Sequence, residues 1–221
     1  MRICGLGLVN KSPFSRVAME IADVGDSVTE AVERAIDRLV ADFQCHNNRF
    51  WNETDLHCSL FHYIRQEDIV KEDYPTQLIR AELPTVRRYD GQRGHYDLAL
   101  LDRELWHRET LQVVKGRDPW VRYLDLVRVS VAVELRLWLS RLRPERVDLD
   151  IEKLTLPENG VRSAYLVNLV QLDFAQPAIR DYYRVLRAYL VKKTQPSLKI
   201  VCVPSETAVQ PDPCDNWLSS P

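Results

Sequence analysis

The stretch Val131-Ala132-Val133-Glu134-Leu135-Arg136-Leu137-Trp138 is the most informative part of this chain. Its aliphatic and β-branched residues favour a strand, and the run continues back to Val127 with valines at every second position. Side chains alternate between the two faces of a strand, so Glu134 and Arg136 share one face. An unpaired carboxylate in a buried strand costs several kcal/mol, and a divalent metal ion is one partner that offsets this cost.

A second apolar stretch, Gly94-His95-Tyr96-Asp97-Leu98-Ala99-Leu100-Leu101-Asp102, also carries an acid where a buried strand normally has none. The segment Asp90-Gly91-Gln92-Arg93-Gly94 before it has the composition of a turn, which predicts a hairpin with the preceding strand. We therefore expect Asp97 to lie on a strand next to the one that carries Glu134.

Size and composition indicate one globular α/β domain. The 221 residues are enough for a sizeable core, and the 45% hydrophobic and 28% charged fractions are ordinary for such proteins. No apolar run approaches the roughly 18 residues that a membrane span needs. We expect an extension over 1–25, one domain over 26–203 and a disordered tail over 204–221, which has four prolines and little apolar periodicity.

The cysteines and the net charge limit the cellular setting and the partners. Five scattered cysteines without a C-x-x-C pair fit a reducing compartment, and the first residues do not form a convincing signal sequence, so a cytoplasmic protein is expected. The net charge of −2 gives no general attraction to nucleic acid, so such binding must depend on a local basic surface.

Periodicity and capping residues predict the order of elements. Ser27 and Glu30 form a capping box before a helix that runs to Cys45, Asn52 caps a second helix, and Pro177 suits the first position of a later one. In chain order the prediction is helix 27–45, a helix from 52, strands 77–83, 94–102 and 127–137, helix 145–156, strand 164–172, a helix from 177 and strand 198–203. This order indicates a mixed sheet flanked by helices.

With Asp97 on the second strand and Glu134-Leu135-Arg136 on the third, the chain resembles the PD-(D/E)XK nucleases, the restriction-endonuclease-like superfamily. The matching region runs from about 52 to 170 and includes Asp148-Leu149-Asp150-Ile151-Glu152-Lys153-Leu154, which leads into Tyr165. The resemblance implies a restriction-endonuclease-like mixed β-sheet flanked by helices, with an αβββαβ core and here an extra N-terminal helix.

The resemblance also implies a chemistry, in which Asp97 and Glu134 bind Mg²⁺ (or Mn²⁺) beside the scissile phosphate of DNA. Glu53 and Glu82 are further candidate ligands. Arg136 stands where the family has lysine; its guanidinium stays protonated, so it can stabilise charge in the transition state but cannot act as a base. The interval of 36 residues between Asp97 and Glu134 is long for this family. Both departures are compatible with an active enzyme or with one that has lost activity.

Two functions follow as hypotheses. The first is a Mg²⁺-dependent endonuclease that cleaves DNA phosphodiester bonds, does not bind membranes and is a possible homodimer. The second is a catalytically lapsed module that binds nucleic acid or a protein partner through the insertion 103–126, which contains Trp106, Trp120 and Tyr123. Basic residues that can contact phosphates around the site are Arg80, Arg87, Arg88, Arg93, Arg141, Arg143 and Arg146, while Arg180, Arg184 and Arg187 are expected on the solvent face of the last helix.

Each candidate residue also has an interpretation without catalysis. Asp97 can be an ordinary residue near a hairpin turn. Glu134 and Arg136 can form an ion pair on a partly exposed sheet, which contributes only about 0.2–1 kcal/mol. The cluster Cys45, His46, His57, Cys58 and His62 suggests zinc, but its spacing matches no zinc-site pattern, and free cysteines are more often small buried hydrophobes.

Overall fold

The computed structural model of the protein describes residues 13–68, 70, 79–89, 92–102, 128–139, 147–171, 176–205 and 217–218. The predictions for Trp106, Trp120 and Tyr123 concern residues outside this set, as do those for Arg141, Arg143 and Arg146. The described elements are α1 (Pro13–Cys45), α2 (Glu53–Gln66), β1 (Ile79–Tyr89), β2 (Gln92–Leu101), β3 (Val129–Trp138), α3 (Asp148–Thr155), β4 (Val161–Val170), α4 (Pro177–Val191), β5 (Leu198–Pro204) and β6 (Trp217–Leu218).

A six-stranded mixed sheet, in the order β1-β2-β3-β4-β5-β6, forms the centre of the fold. The pairs β1/β2, β2/β3 and β5/β6 are antiparallel, whereas β3/β4 and β4/β5 are parallel. Each parallel pair needs a crossover connection, and α3 and α4 lie within these two connections. The predicted α/β class, mixed sheet and element order are confirmed.

The central strands β3 and β4 are covered on both faces. Tyr165 of β4 donates a hydrogen bond to Glu33 of α1 at 2.8 Å, so α1 lies on the face of Tyr165. Glu134 is paired in register with Leu166, the next residue of β4, and therefore lies on the opposite face. α3 contacts that second face, as described below. Among the described residues, no helix is long and apolar enough to cross a membrane.

The first helix begins earlier than the capping residues predict. α1 starts at Pro13, so Ser27 and Glu30 lie inside it and do not form its first turn. Proline suits this starting position because its φ is already helical and its missing N–H is not needed there. Apolar residues repeat at helical spacing from Val28 to Phe43, which predicts one buried face. This prediction is confirmed, since Val32 and Leu39 are fully buried.

The start of α2 matches the prediction in detail. The Asn52 side chain accepts the N–H of Asp55 at 3.1 Å, and the Asp55 carboxylate accepts the N–H of Asn52 at 3.2 Å. This reciprocal capping box fixes where the helix begins. It thereby places Glu53 and His57 one turn apart on the same side of α2.

β1 is longer than predicted, because it continues through Pro84 to Tyr89. β1 lies at the edge of the sheet, where a missing N–H removes no ladder bond, so proline does not end the strand. The register shifts between Pro84 and Arg88. Just before this shift, Glu82 adopts a positive φ of 52°.

Two further predictions need correction. Within the tail expected to be disordered, Trp217 and Leu218 pair with β5, so this prediction is wrong for these two residues. The spacing of apolar residues in α4 predicts a buried stripe that includes both Tyr182 and Tyr183. Tyr183 is buried as predicted, but Tyr182 is 51% exposed, because a step of one residue rotates a side chain by about 100° around the helix.

Candidate functional site

β2 and β3 separate where their acidic residues meet. Their ladder continues to the pair Leu98 and Val133, and one further step places Asp97 opposite Glu134. Asp97 Oδ2 accepts the main-chain N–H of Leu135 at 2.6 Å. The Asp97 carboxylate thus accepts the hydrogen bond that a main-chain carbonyl of the neighbouring strand would otherwise accept. As predicted, Asp97 and Glu134 lie on neighbouring strands.

A third acid lies on the other side of Asp97. The β1/β2 pairs Ala81 with Leu98 and Leu83 with Tyr96 flank Glu82 and place it opposite Asp97. Glu82, Asp97 and Glu134 therefore form a row of acidic residues across three adjacent strands. Like charges directly opposite each other on neighbouring strands are destabilising, so the row needs positive charge nearby.

α2 brings His57 to this row. Its Nε2 lies 3.4 Å from Asp97 Oδ2, and its Nδ1 lies 3.9 Å from Glu82 Oε1. Burial lowers the pKa of His57. The nearby Asp97 carboxylate raises it, and the negative charges of Glu82 and Glu53 add to this effect, so the pKa of His57 lies above its usual value. The 3.4 Å contact between His57 and Asp97 does not meet the geometry of a hydrogen bond. His57 Nε2 is therefore buried without a hydrogen-bond partner among the described residues.

His57, Glu82 and Asp97 each offer one ligand atom, and the three atoms lie within 4.8 Å of one another. In the described part of the chain this is the one group of three or more His, Cys, Asp or Glu side chains that meets this distance. The zinc cluster suggested by the sequence does not assemble in the described part of the chain, because His57 is the one member of it in this group.

α3 supplies a lysine that the sequence analysis did not single out. Lys153 Nζ lies 2.7 Å from Glu134 Oε2 and 3.2 Å from Asp150 Oδ1, and it donates to the His95 carbonyl oxygen at 3.0 Å. The spacing Asp150-x-x-Lys153 places both residues on one side of α3 and was a signal available in the sequence. The alternating Glu134 and Arg136 on β3 would have been natural partners for such a pair.

Glu134 is the most constrained member of the site. It is only 1% exposed, and its second oxygen, Oε1, has no hydrogen-bond partner among the described residues. Burial, followed by the negative charge of Asp97, raises the pKa of Glu134 well above its usual value, despite the opposing effect of Lys153. A partly exposed ion pair with Arg136 is therefore wrong as an interpretation of Glu134.

Arg136 holds α3 against β3. Its Nε and Nη2 donate to the two oxygens of Asp150 at 2.7 and 2.9 Å, a bidentate geometry, and Asp150 is 1% exposed. Its remaining Nη1 lies 3.5 Å from Glu53 Oε1. Burial lowers the pKa of Arg136, but the hydrogen bonds and charge of Asp150 outweigh this and raise it above its usual value.

The site carries an excess of negative charge. These contacts join more carboxylates than cations, since Arg136 and Lys153 are the permanent cations and His57 adds at most one further charge. Carboxylate oxygens are the ligands that Mg²⁺ and related cations prefer. A divalent cation fits this excess charge, and it also fits Glu134 Oε1, which has no hydrogen-bond partner in the part of the chain that the structure describes. The five carboxylates are Glu53, Glu82, Asp97, Glu134 and Asp150.

The arginines that the sequence analysis named lie in different parts of the fold. Arg80 is exposed on β1, the strand next to Asp97. Arg180 and Arg184 are exposed on α4, as expected for its solvent face, and Arg184 forms a surface ion pair with Asp181 at 3.1 Å. Arg187, expected on the same face, is half-buried. The side chains of Arg87, Arg88 and Arg93 lie outside the described set.

No protein-family model, curated protein or solved structure matches this chain.

Proposed function

We propose that the protein is a Mg²⁺-dependent hydrolase of the nuclease type that cleaves DNA phosphodiester bonds. The observation that carries the proposal is the buried Glu134, which lies opposite Asp97 where β2 and β3 separate and whose Oε1 has no hydrogen-bond partner among the described residues. A buried acceptor without a partner costs about 1–3 kcal/mol, which a bound cation offsets. The choice of DNA as substrate comes from the sequence resemblance to the PD-(D/E)XK nucleases.

Asp97 and Glu134 would hold the cation. Asp97 is fixed by the N–H of Leu135, and Glu134 is fixed by Lys153. When bound, the cation would polarise the scissile phosphate and lower the pKa of a bound water. Fixed ligands favour this chemistry because they need no rearrangement during the reaction.

Lys153 and Arg136 have separate roles in this proposal. Lys153 provides a compact positive charge 2.7 Å from Glu134 and is 13% exposed, so it can contribute charge stabilisation next to the bound phosphate. Arg136 is occupied by Asp150 and Glu53, and we assign it the positioning of α3. The sequence hypothesis that Arg136 stabilises transition-state charge remains a prediction.

A second function, a nuclease-like module without catalysis, is favoured by one observation. Arg136 replaces the family's lysine, and its guanidinium is committed to carboxylates within the protein. In that case the site would bind nucleic acid or a protein partner without cleaving it. The same experiment separates the two functions.

The test is cleavage of supercoiled plasmid DNA by the purified protein with Mg²⁺, with Mn²⁺ and with EDTA. We expect metal-dependent nicking by the unaltered protein and by Asp102→Asn, a control at the far end of β2, and none by Asp97→Asn or Glu134→Gln. Circular dichroism checks that each variant is folded. Cleavage by Asp97→Asn at the unaltered rate would refute the site, and metal binding without cleavage by the unaltered protein would support the second function.

A further inference from the structure

We infer that His57 and Glu82 complete the metal site with Asp97, and that the site therefore prefers a first-row transition-metal ion such as Mn²⁺ to Mg²⁺. This inference rests on the metal site proposed above and extends it to ligands and ion preference. The three ligands come from three elements: His57 from α2, Glu82 from β1 and Asp97 from β2.

The distances suit ligands of one ion. At metal–ligand distances of about 2.1 Å, neighbouring octahedral ligands lie about 3 Å apart and opposite ones about 4.2 Å apart. His57 Nε2 lies 3.4 Å from Asp97 Oδ2, within this range, and one ligand atom from each of His57, Glu82 and Asp97 lies within 4.8 Å of the other two. Only small side-chain movements are needed to bring all three atoms to one cation.

A buried group without a partner gives independent support. His57 Nε2 is buried and has no hydrogen-bond partner among the described residues. A cation held by His57, Glu82 and Asp97 would serve as its partner, and it would also relieve the repulsion along the row of acids, which continues to the buried Glu134 on β3.

The imidazole decides the ion preference. Mg²⁺ prefers oxygen ligands and keeps several of its waters, so a nitrogen ligand adds little to its binding. First-row transition-metal ions accept imidazole and carboxylate together, and their affinity for such mixed sites rises from Mn²⁺ onward. A site of one histidine and two or more carboxylates should therefore favour Mn²⁺ over Mg²⁺.

The test is titration of the metal-free protein with Mn²⁺, followed by electron paramagnetic resonance, with Mg²⁺ as competitor. We expect Mn²⁺ to bind at least about tenfold more tightly than Mg²⁺. His57→Ala should weaken Mn²⁺ binding at least about tenfold, because loss of a residue that only supports a ligand already costs about 10–100-fold and His57 would be a ligand itself. Mg²⁺ affinity should change much less in this variant. His62→Ala is the matched control, because His62 lies on the same helix but is exposed and contacts Gln66.

Two further variants keep the result interpretable. His57→Gln preserves the size of the side chain, and Glu82→Gln, at an exposed position, removes one ligand charge with little risk to folding. Both should weaken Mn²⁺ binding. Unchanged Mn²⁺ binding by His57→Ala and His57→Gln, or equal affinity for both ions, would overturn the inference.

The outcomes also separate this inference from the proposed function. Mn²⁺ binding that depends on His57, without DNA cleavage, would retain the inference and reject the nuclease. Cleavage that requires Asp97 and Glu134 but tolerates loss of His57, with Mn²⁺ binding unchanged, would retain the nuclease and reject the inference.

Discussion

Replacing Lys153 with methionine should destabilise the protein strongly, because Lys153 is the cation beside the buried Glu134. Its ammonium lies 2.7 Å from Glu134 Oε2 and donates to the His95 carbonyl at 3.0 Å. Methionine has a similar length and no charge. The variant therefore removes the ion pair and leaves the packing of α3 largely in place.

The expected loss follows from these contacts. Removal of one partner of a buried ion pair costs about 3–5 kcal/mol, and a lost hydrogen bond adds about 0.5–1.5 kcal/mol. Asp150 keeps Arg136 as its partner, so the loss comes from Glu134 and from the hydrogen bond to the His95 carbonyl. Since the pKa of Glu134 is already raised by burial, its carboxyl can take up a proton in the variant, which favours the lower end. We expect the free energy of unfolding to fall by about 4 kcal/mol.

Urea denaturation in EDTA, extrapolated linearly to water, measures this change. Lys193→Met is the matched control, because Lys193 forms an ion pair with Asp148 at 3.0 Å at the surface. Exposed pairs contribute about 0–1 kcal/mol, so this control should lose less than 1 kcal/mol. The double variant Lys153→Met with Glu134→Gln should regain part of the stability, since it no longer buries an unpaired carboxylate.

A loss below about 1 kcal/mol for Lys153→Met, within the range of surface ion pairs, would refute this account of Glu134. A double variant no more stable than the single one would also contradict it. In that case the cost would come from packing and not from charge.

Three further predictions concern contacts outside the carboxylate row. Asn52→Ala removes the α2 cap and should cost about 1 kcal/mol, seen as a lower Tm; an unchanged Tm would mean that the capping box adds nothing. Asn168→Ala takes away the acceptor of the buried Trp138 Nε1–H at 3.1 Å and should cost about 1–3 kcal/mol in urea unfolding, whereas a loss under about 0.5 kcal/mol would indicate another acceptor. A hydrogen bond from Tyr189 outweighs burial and, with Lys193, lowers the pKa of Asp148. Asp148 therefore stabilises the fold above its unfolded pKa of about 3.9 and ceases to do so as the pH falls through its lower folded pKa. The unaltered protein should exceed Asp148→Asn in Tm at neutral pH, with the gap closing in acid, and equal Tm values at neutral pH would contradict this.

Local patterns predicted most of the secondary structure. The cap at Asn52, the helix start at Pro177 and the strand β3 depend on residues close together in sequence, and each is confirmed. Two of the errors arose where position in the sheet overrode local preference. Pro84 continues a strand because that strand is at an edge, and Trp217 pairs because β5 offers a free edge.

The amino-acid sequence was enough to put Glu134 and Arg136 on one face, because strand periodicity is a local property. The predicted order of the strands, together with the family resemblance, placed Asp97 and Glu134 on adjacent strands. Only the tertiary structure decided their partners. Sheet register set Glu82 opposite Asp97, and the placement of α2 and α3 gave His57 to Asp97 and Lys153 to Glu134. These contacts join residues far apart in the chain, and their geometry depends on how strands and helices pack together, which no short sequence pattern encodes.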